Sequence, residues 1–270
     1  GVAQIGKAFR NEISPRDFLF RAREFEQMEL EYFGHPEKQK QYFEDIKNMR
    51  IEWFLNLGIK KENIRFRDYK KDELAHYSLA TTDIEYKFGL DESGFSELEG
   101  IAMRGDYDLT SHAKASNEEL NIEGITPHVI EPSLGLDRAF LAFLLDAYEE
   151  DDLGGSKRIV LRLHPKLAPV KIAVFPLMAN KENLVKKAKE IYEQLWVMDY
   201  GLSTIQWDDI GNVGKRYRRQ DEIGTPWCVT VDYQTLEDDT VTIRDRDTGL
   251  QIRHPANELD VYLNKMLKYN

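Results

Sequence analysis

Residues 9–29 read FRNEISPRDFLFRAREFEQME, and this stretch decides the fold of the chain. Two runs rich in aromatic and apolar residues flank a turn that contains proline and aspartate, at residues 13–17. Such a pattern predicts two antiparallel strands joined by a short loop. Side chains alternate along a strand, so one face of the sheet collects charged and aromatic groups. These are Arg10 and Glu12 from the first strand, and Arg21, Arg23, Phe25 and Gln27 from the second.

A sheet face of this composition suits a ligand that has both phosphate groups and a flat ring. The guanidinium group of arginine pairs with phosphate oxygens through two parallel hydrogen bonds, and it also stacks on rings. The alternative is that these charges form a solvated strand face, which is the plainer interpretation of charged residues on a strand.

The order Phe-Arg-x-Glu, loop, Arg-x-Arg-Glu-Phe resembles motif 2 of the class II aminoacyl-tRNA synthetases. The longer string, through residue 33, is similar to the homodimeric type of glycyl-tRNA synthetase. The resemblance implies that residues on both sides of the loop contact ATP. They are Arg10, Asn11, Glu12, Phe20, Arg21, Ala22, Arg23, Glu24 and Phe25.

The same resemblance implies roles for single side chains. Arg10 would hold the α-phosphate of ATP, and Phe25 would stack on the adenine ring, with Glu12 as a further catalytic residue. Arg21 and Arg23 would support these contacts. The segment that follows matches family positions that contact glycine, namely Phe25, Glu26, Gln27, Met28 and Glu29.

Composition limits the class of protein. With 270 residues, 41% of them hydrophobic, the chain can bury a sizeable core and is expected to form two domains. No apolar run is long enough to predict a membrane span, and no signal peptide is recognisable. A single cysteine excludes an intramolecular disulfide and favours the cytoplasm. The net charge of −11 argues against non-specific nucleic-acid binding but allows a local basic patch.

The chain begins at Gly1, a few residues before the first predicted strand. We expect a fragment that lacks its natural N terminus, including motif 1, which in the family builds the dimer interface. An upstream segment that helps to bind ATP and glycine would be missing too. The six histidines show no metal-ligand spacing with each other or with Cys228, so no structural zinc site is expected.

The next part of the chain predicts one helix and several strands. The helix is expected between Pro36 and Gly58, where apolar residues recur at helical spacing. Strands are expected at residues 65–68 and 81–88, and again from residue 95. In the last of these, alternation puts Glu97 and Glu99 on one face. Paired carboxylates beside a phosphate site suit Mg²⁺, whereas two exposed glutamates are the alternative.

Residues 97–112, ELEGIAMRGDYDLTSH, resemble the synthetase segment that completes the ATP and glycine site. The resemblance implies ATP contact by Glu97 and Leu98, and Glu97 would also ligate the Mg²⁺ that accompanies ATP. Glu99, Arg104 and Asp106 are further candidates by proximity alone.

A strand that ends with a proline and a glycine leads into an apolar helix across residues 127–145. Arg138 would lie in the first turn of that helix, where the helix dipole disfavours a cation, so an anionic ligand would account for it. The alternative is an arginine that reaches solvent. The order Gly-x-Asp-Arg resembles motif 3, whose arginine contacts ATP phosphate or adenine. The implied ATP contacts are Gly135, Leu136, Asp137 and Arg138.

A second glycine-binding segment is implied just before motif 3. It comprises Glu131, Pro132, Ser133, Leu134 and Gly135. Carboxylates there would pair with the ammonium group of glycine. Ser133 would stand against the α-carbon and exclude any side chain larger than hydrogen.

The pattern changes after an acidic stretch and a Gly-Gly-Ser break, so we expect domains at residues 1–155 and 156–270. The second half alternates a buried strand at 170–174, a helix around residues 184–195, a strand at 201–207 and a helix or loop at 213–223. Strands at 227–233 and 240–246, with a turn at 236–239 between them, a hairpin turn at 247–249 and a helix at 255–267 complete it. This order predicts a mixed-sheet α/β module. It resembles the anticodon-binding domain of the glycyl, histidyl, prolyl and threonyl synthetases.

One dense basic cluster lies in this second half. It comprises Lys215, Arg216, Arg218 and Arg219, with Tyr217 among them. Such a cluster suits phosphate contact and base stacking, so these four cations are candidates for tRNA binding. A solvated helix face is the alternative, and Cys228 is expected to be a buried thiol.

The chain therefore predicts an α+β protein, with an antiparallel class II synthetase sheet followed by a mixed-sheet anticodon-binding domain. The resemblance implies a glycine–tRNA ligase that uses ATP, Mg²⁺, glycine and tRNA-Gly, and a homodimer for the parent protein. Two alternatives stay open at this point. One is a non-catalytic synthetase paralogue that binds nucleic acid, and the other is a different class II synthetase of the same group.

Overall fold

In a computed structural model, the protein is described for residues 1–90, 92–197 and 204–269. Two compact units divide the chain, Gly1–Asp146 and Ala147–Asn270. The sequence predicted the domain boundary between residues 155 and 156. That position lies further along the chain than the observed division, at the turn of a β-hairpin.

Unit 1 contains a six-stranded antiparallel sheet. Its strands are β1 (Val2–Phe9), β2 (Glu24–Gly34), β3 (Ile64–Asp68), β4 (Ala80–Tyr86), β5 (Ser96–Gly105) and β6 (His128–Gly135). They lie in the order β1-β2-β6-β5-β4-β3, with antiparallel pairing throughout. The predicted antiparallel sheet and the pairing of the first two strands are thereby confirmed.

One face of this sheet is covered by helices. The helix α1 (Gln39–Asn56) follows a 3₁₀ turn at Pro36–Lys38, which confirms the helix predicted from apolar spacing. α2 (Tyr107–Ser116) follows β5 and has no buried residue, whereas α3 (Leu136–Ala147) packs on the same face as α1. The core between α1, α3 and the sheet contains Phe54, Ile84, Ile101, Leu134 and Ala142. We call the opposite face of the sheet the open face.

The connection between β1 and β2 is longer than the sequence predicted. β1 ends at Phe9 and β2 begins at Glu24, so Arg10, Glu12, Arg21 and Arg23 lie on a loop rather than on strand faces. The expectation that alternation sets the direction of these four side chains was therefore wrong. A 3₁₀ turn at Phe18–Phe20 and the internal hydrogen bonds of the loop set their positions instead.

Unit 2 contains a five-stranded mixed sheet and a separate hairpin. The strands are β7 (Tyr148–Leu153), β8 (Ser156–Leu161), β9 (Ile172–Pro176), β10 (Ile205–Trp207), β11 (Trp227–Val231), β12 (Thr240–Asp245) and β13 (Gln251–Pro255). The sheet order is β10-β9-β11-β12-β13, with β10, β9 and β11 parallel and the rest antiparallel. This architecture confirms the predicted mixed-sheet module.

Four helices accompany the mixed sheet of unit 2. They are α4 (Glu182–Val197), α5 (Val213–Ile223), α6 (Tyr233–Asp238) and α7 (Leu259–Tyr269). α4 and α7 pack on the face that carries Ile172 and Val174, and α5 packs on the opposite face, against Phe175. None of the described helices in the chain is long and apolar enough to cross a membrane.

In unit 2 one predicted turn differs from the structure, one hairpin was not predicted, and one predicted strand lies partly outside the described residues. The turn expected at residues 236–239 belongs to α6, which Asp232 begins by accepting a hydrogen bond from the backbone N–H of Thr235. The β7–β8 hairpin was not predicted, because acidic residues dominate its first strand. The strand expected at 201–207 is confirmed only for 205–207, since residues 201–203 lie outside the described part.

Buried ion pairs connect the hairpin of unit 2 to its mixed sheet. Asp221 is 1% exposed and accepts hydrogen bonds from Arg244 at 2.7 and 3.0 Å and from Arg158 at 3.0 Å. Arg158 also donates to Asp151 on β7. A buried carboxylate of this kind requires cationic partners, since an unpaired buried charge is strongly unfavourable. The acidic residues of the hairpin therefore have a structural function in unit 2.

Candidate active site

A polar cleft opens on the open face of the unit 1 sheet. The β1–β2 loop, β2, β5, β6 and the first turn of α3 contribute to it. The lining residues are Arg10, Glu12, Leu19, Phe20, Arg21, Ala22, Phe25, Glu26, Gln27, Glu97, Leu98, Ser133, Gly135, Asp137 and Arg138. All of these except Leu19 were candidates from the sequence, so the structure brings together residues that lie more than 100 positions apart.

Other predicted site residues do not line this cleft. The prediction that Met28, Pro132 and Leu134 contact glycine was wrong. Alternation along β2 and β6 turns their side chains to the helix-covered face. Leu134 is only 2% exposed and packs in the core. Four further ATP candidates and two glycine candidates lie near the cleft without lining it. They are Asn11, Arg23, Glu24, Leu136, Glu29 and Glu131.

Glu12 holds the β1–β2 loop in its observed form. Its carboxylate accepts a hydrogen bond from Nε of Arg21 at 2.8 Å, and its backbone carbonyl accepts one from Nε of Arg23 at 2.9 Å. The loop is closed at its base, where the backbone N–H of Arg10 donates to the carbonyl of Arg23. Glu12 therefore orders the two arginines of the loop, an effect that strand alternation does not predict.

Arg10 and Phe25 lie together at one end of the cleft. The guanidinium carbon of Arg10 is 5.1 Å from the ring centroid of Phe25, within the range of a cation–π contact. Arg10 is exposed, and no carboxylate pairs with it among the described residues. A free guanidinium next to a flat ring can bind a phosphate while the ring stacks on a base.

Arg138 connects several of the segments that line the cleft. Its guanidinium donates to the carbonyl of Glu97 at 2.9 Å and to the carbonyl of Phe20 at 2.8 Å, and it also lies over the Phe20 ring. The carboxylate of Glu97 is 3.3 Å from Nη1 of Arg138. The first turn of α3 thus connects β5 to the β1–β2 loop through one side chain. This contact could not be read from the sequence.

A β-bulge in β5 separates the two glutamates that the sequence placed on one face. Ile84 of β4 pairs with Glu99 and Glu85 pairs with Glu97, which leaves Leu98 as an extra residue. The side chain of Glu97 is 54% exposed and lies at the cleft, whereas that of Glu99 is 1% exposed and lies on the helix-covered face. The expected joint projection of these carboxylates was therefore wrong.

Glu99 forms an ion pair with α1 instead. Arg50 donates to its two carboxylate oxygens at 2.7 and 3.1 Å. Burial raises the pKa of Glu99, and the Arg50 guanidinium opposes that rise. Glu99 is accordingly a structural residue of the sheet–helix interface, and it is no longer a candidate for the ligand site.

Polar groups continue along the open face beyond the cleft. Nε2 of Gln27 donates to Oγ of Ser133, and Oγ of Ser133 is 3.5 Å from a carboxylate oxygen of Glu29. Further along, Nη1 of Arg104 donates to Glu131 at 2.6 Å, and its Nε donates to Asp108 at the same distance. Arg104 was a candidate by proximity, and the structure shows that it holds Glu131.

A second carboxylate lies against Glu131. Glu31 of β2 lies within hydrogen-bonding range of it. Burial raises the pKa of Glu31 to about 7, and the neighbouring charge of Glu131 adds to the rise. Glu31 was not predicted from the sequence as a site residue. Its position two residues after Glu29 on the same strand was the available signal.

The basic cluster of unit 2 is mostly engaged in internal contacts. Arg216 is 1% exposed and donates to the carbonyls of Pro176, Asp209 and Gly211, so its assignment to a tRNA surface was wrong. Two neighbours of Arg216 are also bonded, Arg219 to Asp208 and Ile210, and Arg218 to Ser156. Lys215 is exposed, and its ammonium has no partner within the described chain.

Two family models match the chain, one on each unit. The model described as "tRNA synthetase class II core domain (G, H, P, S and T)" matches residues 1–148. The model described as "Anticodon binding domain" matches residues 171–266.

Curated relatives extend the similarity over the whole chain. A glycine–tRNA ligase of Clostridium acetobutylicum is 52% identical over 275 residues, which cover 99% of this chain and 57% of that protein. Those of Geobacillus kaustophilus and Streptomyces coelicolor are 50% and 49% identical, over 100% and 99% of this chain. The chain spans 58% and 59% of the lengths of these two relatives.

The separation of the two glutamates gives a stability prediction. Glu99→Ala should lower the free energy of unfolding by about 2–4 kcal/mol, because it leaves the half-buried Arg50 without its partner. Glu97→Ala is the matched control from the same strand and should change this free energy by about 0.5 kcal/mol or less. Urea unfolding of both variants is the measurement. Equal effects would contradict the placement of the two side chains on opposite faces.

Proposed function

The chain belongs to the class II tRNA synthetase family, whose core it matches, and we propose that the natural protein that carries it is a glycine–tRNA ligase. The cleft is the observation that carries this proposal, since it joins the residues of motif 2, Glu97 and the arginine of motif 3. Glycine is favoured over other amino acids because the relatives described above are glycine–tRNA ligases.

The proposed reaction has two steps. In the first, a carboxylate oxygen of glycine attacks the α-phosphorus of ATP, so that a C–O–P linkage forms and pyrophosphate leaves. In the second, a ribose hydroxyl of the terminal adenosine of tRNA-Gly attacks the carbonyl carbon, and AMP leaves. Neither step requires a nucleophile from the protein. Catalysis then depends on the positioning of the reactants and on the neutralisation of phosphate charge.

Residues of the cleft can divide these tasks. We assign the α-phosphate to Arg10, because its guanidinium is exposed and unpaired, and the adenine ring to the adjacent Phe25. Arg138, which also lines the cleft, would face the adenine and the γ-phosphate. Arg21 lines the cleft and Arg23 holds the backbone of Glu12, so both fit supporting roles.

Mg²⁺ would enter this site with ATP. No group of three or more histidine, cysteine, aspartate or glutamate residues suits a metal ion within the described residues. Glu97 offers an exposed carboxylate at the cleft, as Glu26 and Asp137 do, but no cluster of three is formed in the described part of the chain, so the phosphates of ATP would have to supply most of the ligands. A bound Mg²⁺ would neutralise phosphate charge there.

Glycine would occupy the part of the open face where Gln27, Glu29 and Ser133 lie. Gln27 and Ser133 line the cleft and bond to each other, and Glu29 lies beside Ser133. An ammonium group has three donors, which suits a surface of hydroxyl and carboxylate acceptors. Ser133 would limit the space at the α-carbon.

Unit 2 would bind tRNA-Gly, because residues 171–266 match an anticodon-binding domain. Of the four cations expected to contact tRNA, Lys215 and Arg218 stay candidates, and Arg219 is largely engaged with Asp208. The homodimer and the cytoplasmic location stay proposals that rest on the resemblance to the glycyl-tRNA synthetases.

Arg10 gives the direct test of the cleft as an ATP site. Arg10→Ala in the natural protein should lower glycine-dependent ATP–pyrophosphate exchange about 10²-fold or more, because a charge that stabilises the transition state is lost. The free energy of unfolding should change by less than about 1 kcal/mol, since the side chain is exposed. Arg16→Ala is the control, from the same loop but outside the cleft.

Three results would contradict this proposal. A normal exchange rate in Arg10→Ala would show that Arg10 does not contact ATP. An equal loss of exchange rate in Arg16→Ala would show a general effect on the loop. Faster exchange of the unaltered protein with alanine or proline than with glycine would refute the assignment of the substrate.

The tRNA surface of unit 2 gives a separate prediction. A Lys215→Ala, Arg218→Ala double variant should reduce the slope of log affinity for tRNA against log salt by up to about two, with pyrophosphate exchange unchanged. Lys186→Ala, Lys189→Ala is the matched control, because both lysines are exposed on α4, across the sheet from α5. A slope that is unchanged, or equally changed in the control, would show that α5 does not face the tRNA.

A further inference from the structure

A row of directly opposed residues crosses the open face of the unit 1 sheet. Glu29 of β2 pairs with Ser133 of β6, Ser133 pairs with Gly100 of β5, and Gly100 pairs with Asp83 of β4. Residues opposed in this way have their side chains next to each other on one face. Polar residues therefore lie on both sides of Gly100, which has no side chain.

The fold does not require glycine at position 100. Its φ angle lies outside the left-handed region, so other residues could adopt this backbone without strain. An added Cβ atom would meet only Oδ1 of Asp83 at 3.6 Å and Oε1 of Glu97 at 3.7 Å, both ordinary contacts. Glycine weakens the interior of a strand and often marks the close approach of a ligand. The space above Gly100 is thus open and is bordered by two carboxylates.

Asp83 presents an unpaired acceptor to this space. It is 5% exposed, and its Oδ2 accepts a hydrogen bond from the hydroxyl of Tyr69 at 2.9 Å. Its Oδ1, the oxygen nearest to Gly100, has no hydrogen-bond partner among the described residues. The neighbouring cation Arg67 donates to Glu73 at 2.7 Å instead. A buried carboxylate without a cationic partner is unfavourable unless a ligand supplies one.

The charge around Asp83 supports a cationic ligand. Burial raises the pKa of this carboxyl to about 6, and Glu97 from β5 adds to the rise, as does Glu85 on its own strand, more weakly. The Tyr69 hydroxyl and the charge of Arg67 oppose it. At neutral pH the Asp83 carboxyl is therefore mostly ionised, although burial makes its charged form unfavourable. A bound ammonium group would offset that unfavourable free energy.

We propose that Gly100 and Asp83 form the floor and far wall of the amino-acid subsite. The ammonium group of the substrate donates to Oδ1 of Asp83, and its α-carbon lies over the bare backbone of Gly100. This inference rests on the proposed function and extends it. Asp83 lies outside every segment for which the resemblance to the synthetases implies ligand contact, and Gly100 lies within residues 97–112 but is not among the residues of that segment to which a contact is assigned.

Two variants and one control test the subsite in the natural protein. Asp83→Asn keeps the shape but removes the charge, and Gly100→Ala fills the space. Each should raise the KM for glycine about tenfold or more in pyrophosphate exchange, and leave the KM for ATP unchanged. Gly6→Ala on β1 is the control, because its added Cβ atom would have its nearest contact at 3.5 Å and it lies outside the cleft. It should change neither value.

The thermal stability of the variants separates binding from a structural role. Ionised Asp83 is disfavoured in the fold, since its pKa is raised above the usual value, so Asp83→Asn should leave Tm unchanged or raise it. Loss of Tm in parallel with activity, or an unchanged KM for glycine in either variant, would overturn the inference. Activation of another amino acid by the unaltered protein would refute the proposed function, and the KM for that amino acid would still test the subsite.

Discussion

The alternation of side chains along β2, β5 and β6 is the constraint on which the rest of unit 1 depends. In each strand every second residue faces α1 and the core, as Leu134 and Ile101 do, and the residues between them face the opposite side. The same three strands therefore supply apolar packing and a polar floor, as Ser133 and Gly100 show. A shift of one residue in their pairing would place the apolar set in solvent, so the packing of the core fixes the position of the polar residues.

Local departures from regular structure place the remaining groups of the cleft. Because of the bulge at Leu98, Glu97 faces the cleft and Glu99 faces α1. Arg138 connects α3 to β5 and to the β1–β2 loop. Glu12 orders the arginines of that loop. The proposed chemistry requires preorganised positive charge, and these contacts provide it at an exposed site where isolated arginines would be mobile. In unit 2, by contrast, most arginines of α5 are engaged in holding backbone carbonyls and carboxylates.

The sequence predicted the regular elements well, because periodicity and turn residues act locally. The pairing of β1 with β2, the helix α1, and the strand-to-helix passage before Arg138 all follow from such signals. It failed where distant residues decide the outcome. Nothing local shows that Arg216 is buried, that a bulge turns Glu99 inward, or that Asp83 lies opposite Gly100. Most of the residues that line the cleft came from resemblance to the synthetases, since chemical pattern alone left a solvated face as an equal alternative.

We propose that the open face of unit 1 binds an aminoacyl-adenylate. A crystal structure of the natural protein with a non-hydrolysable glycyl-adenylate analogue tests it most directly. We expect the adenine ring stacked on Phe25 and the group that replaces the α-phosphate within about 3 Å of the Arg10 guanidinium. We expect the α-carbon over Gly100 and the ammonium group within hydrogen-bond distance of Oδ1 of Asp83. An analogue bound elsewhere, or bound in the cleft with its ammonium directed away from Ser133 and Asp83, would contradict it.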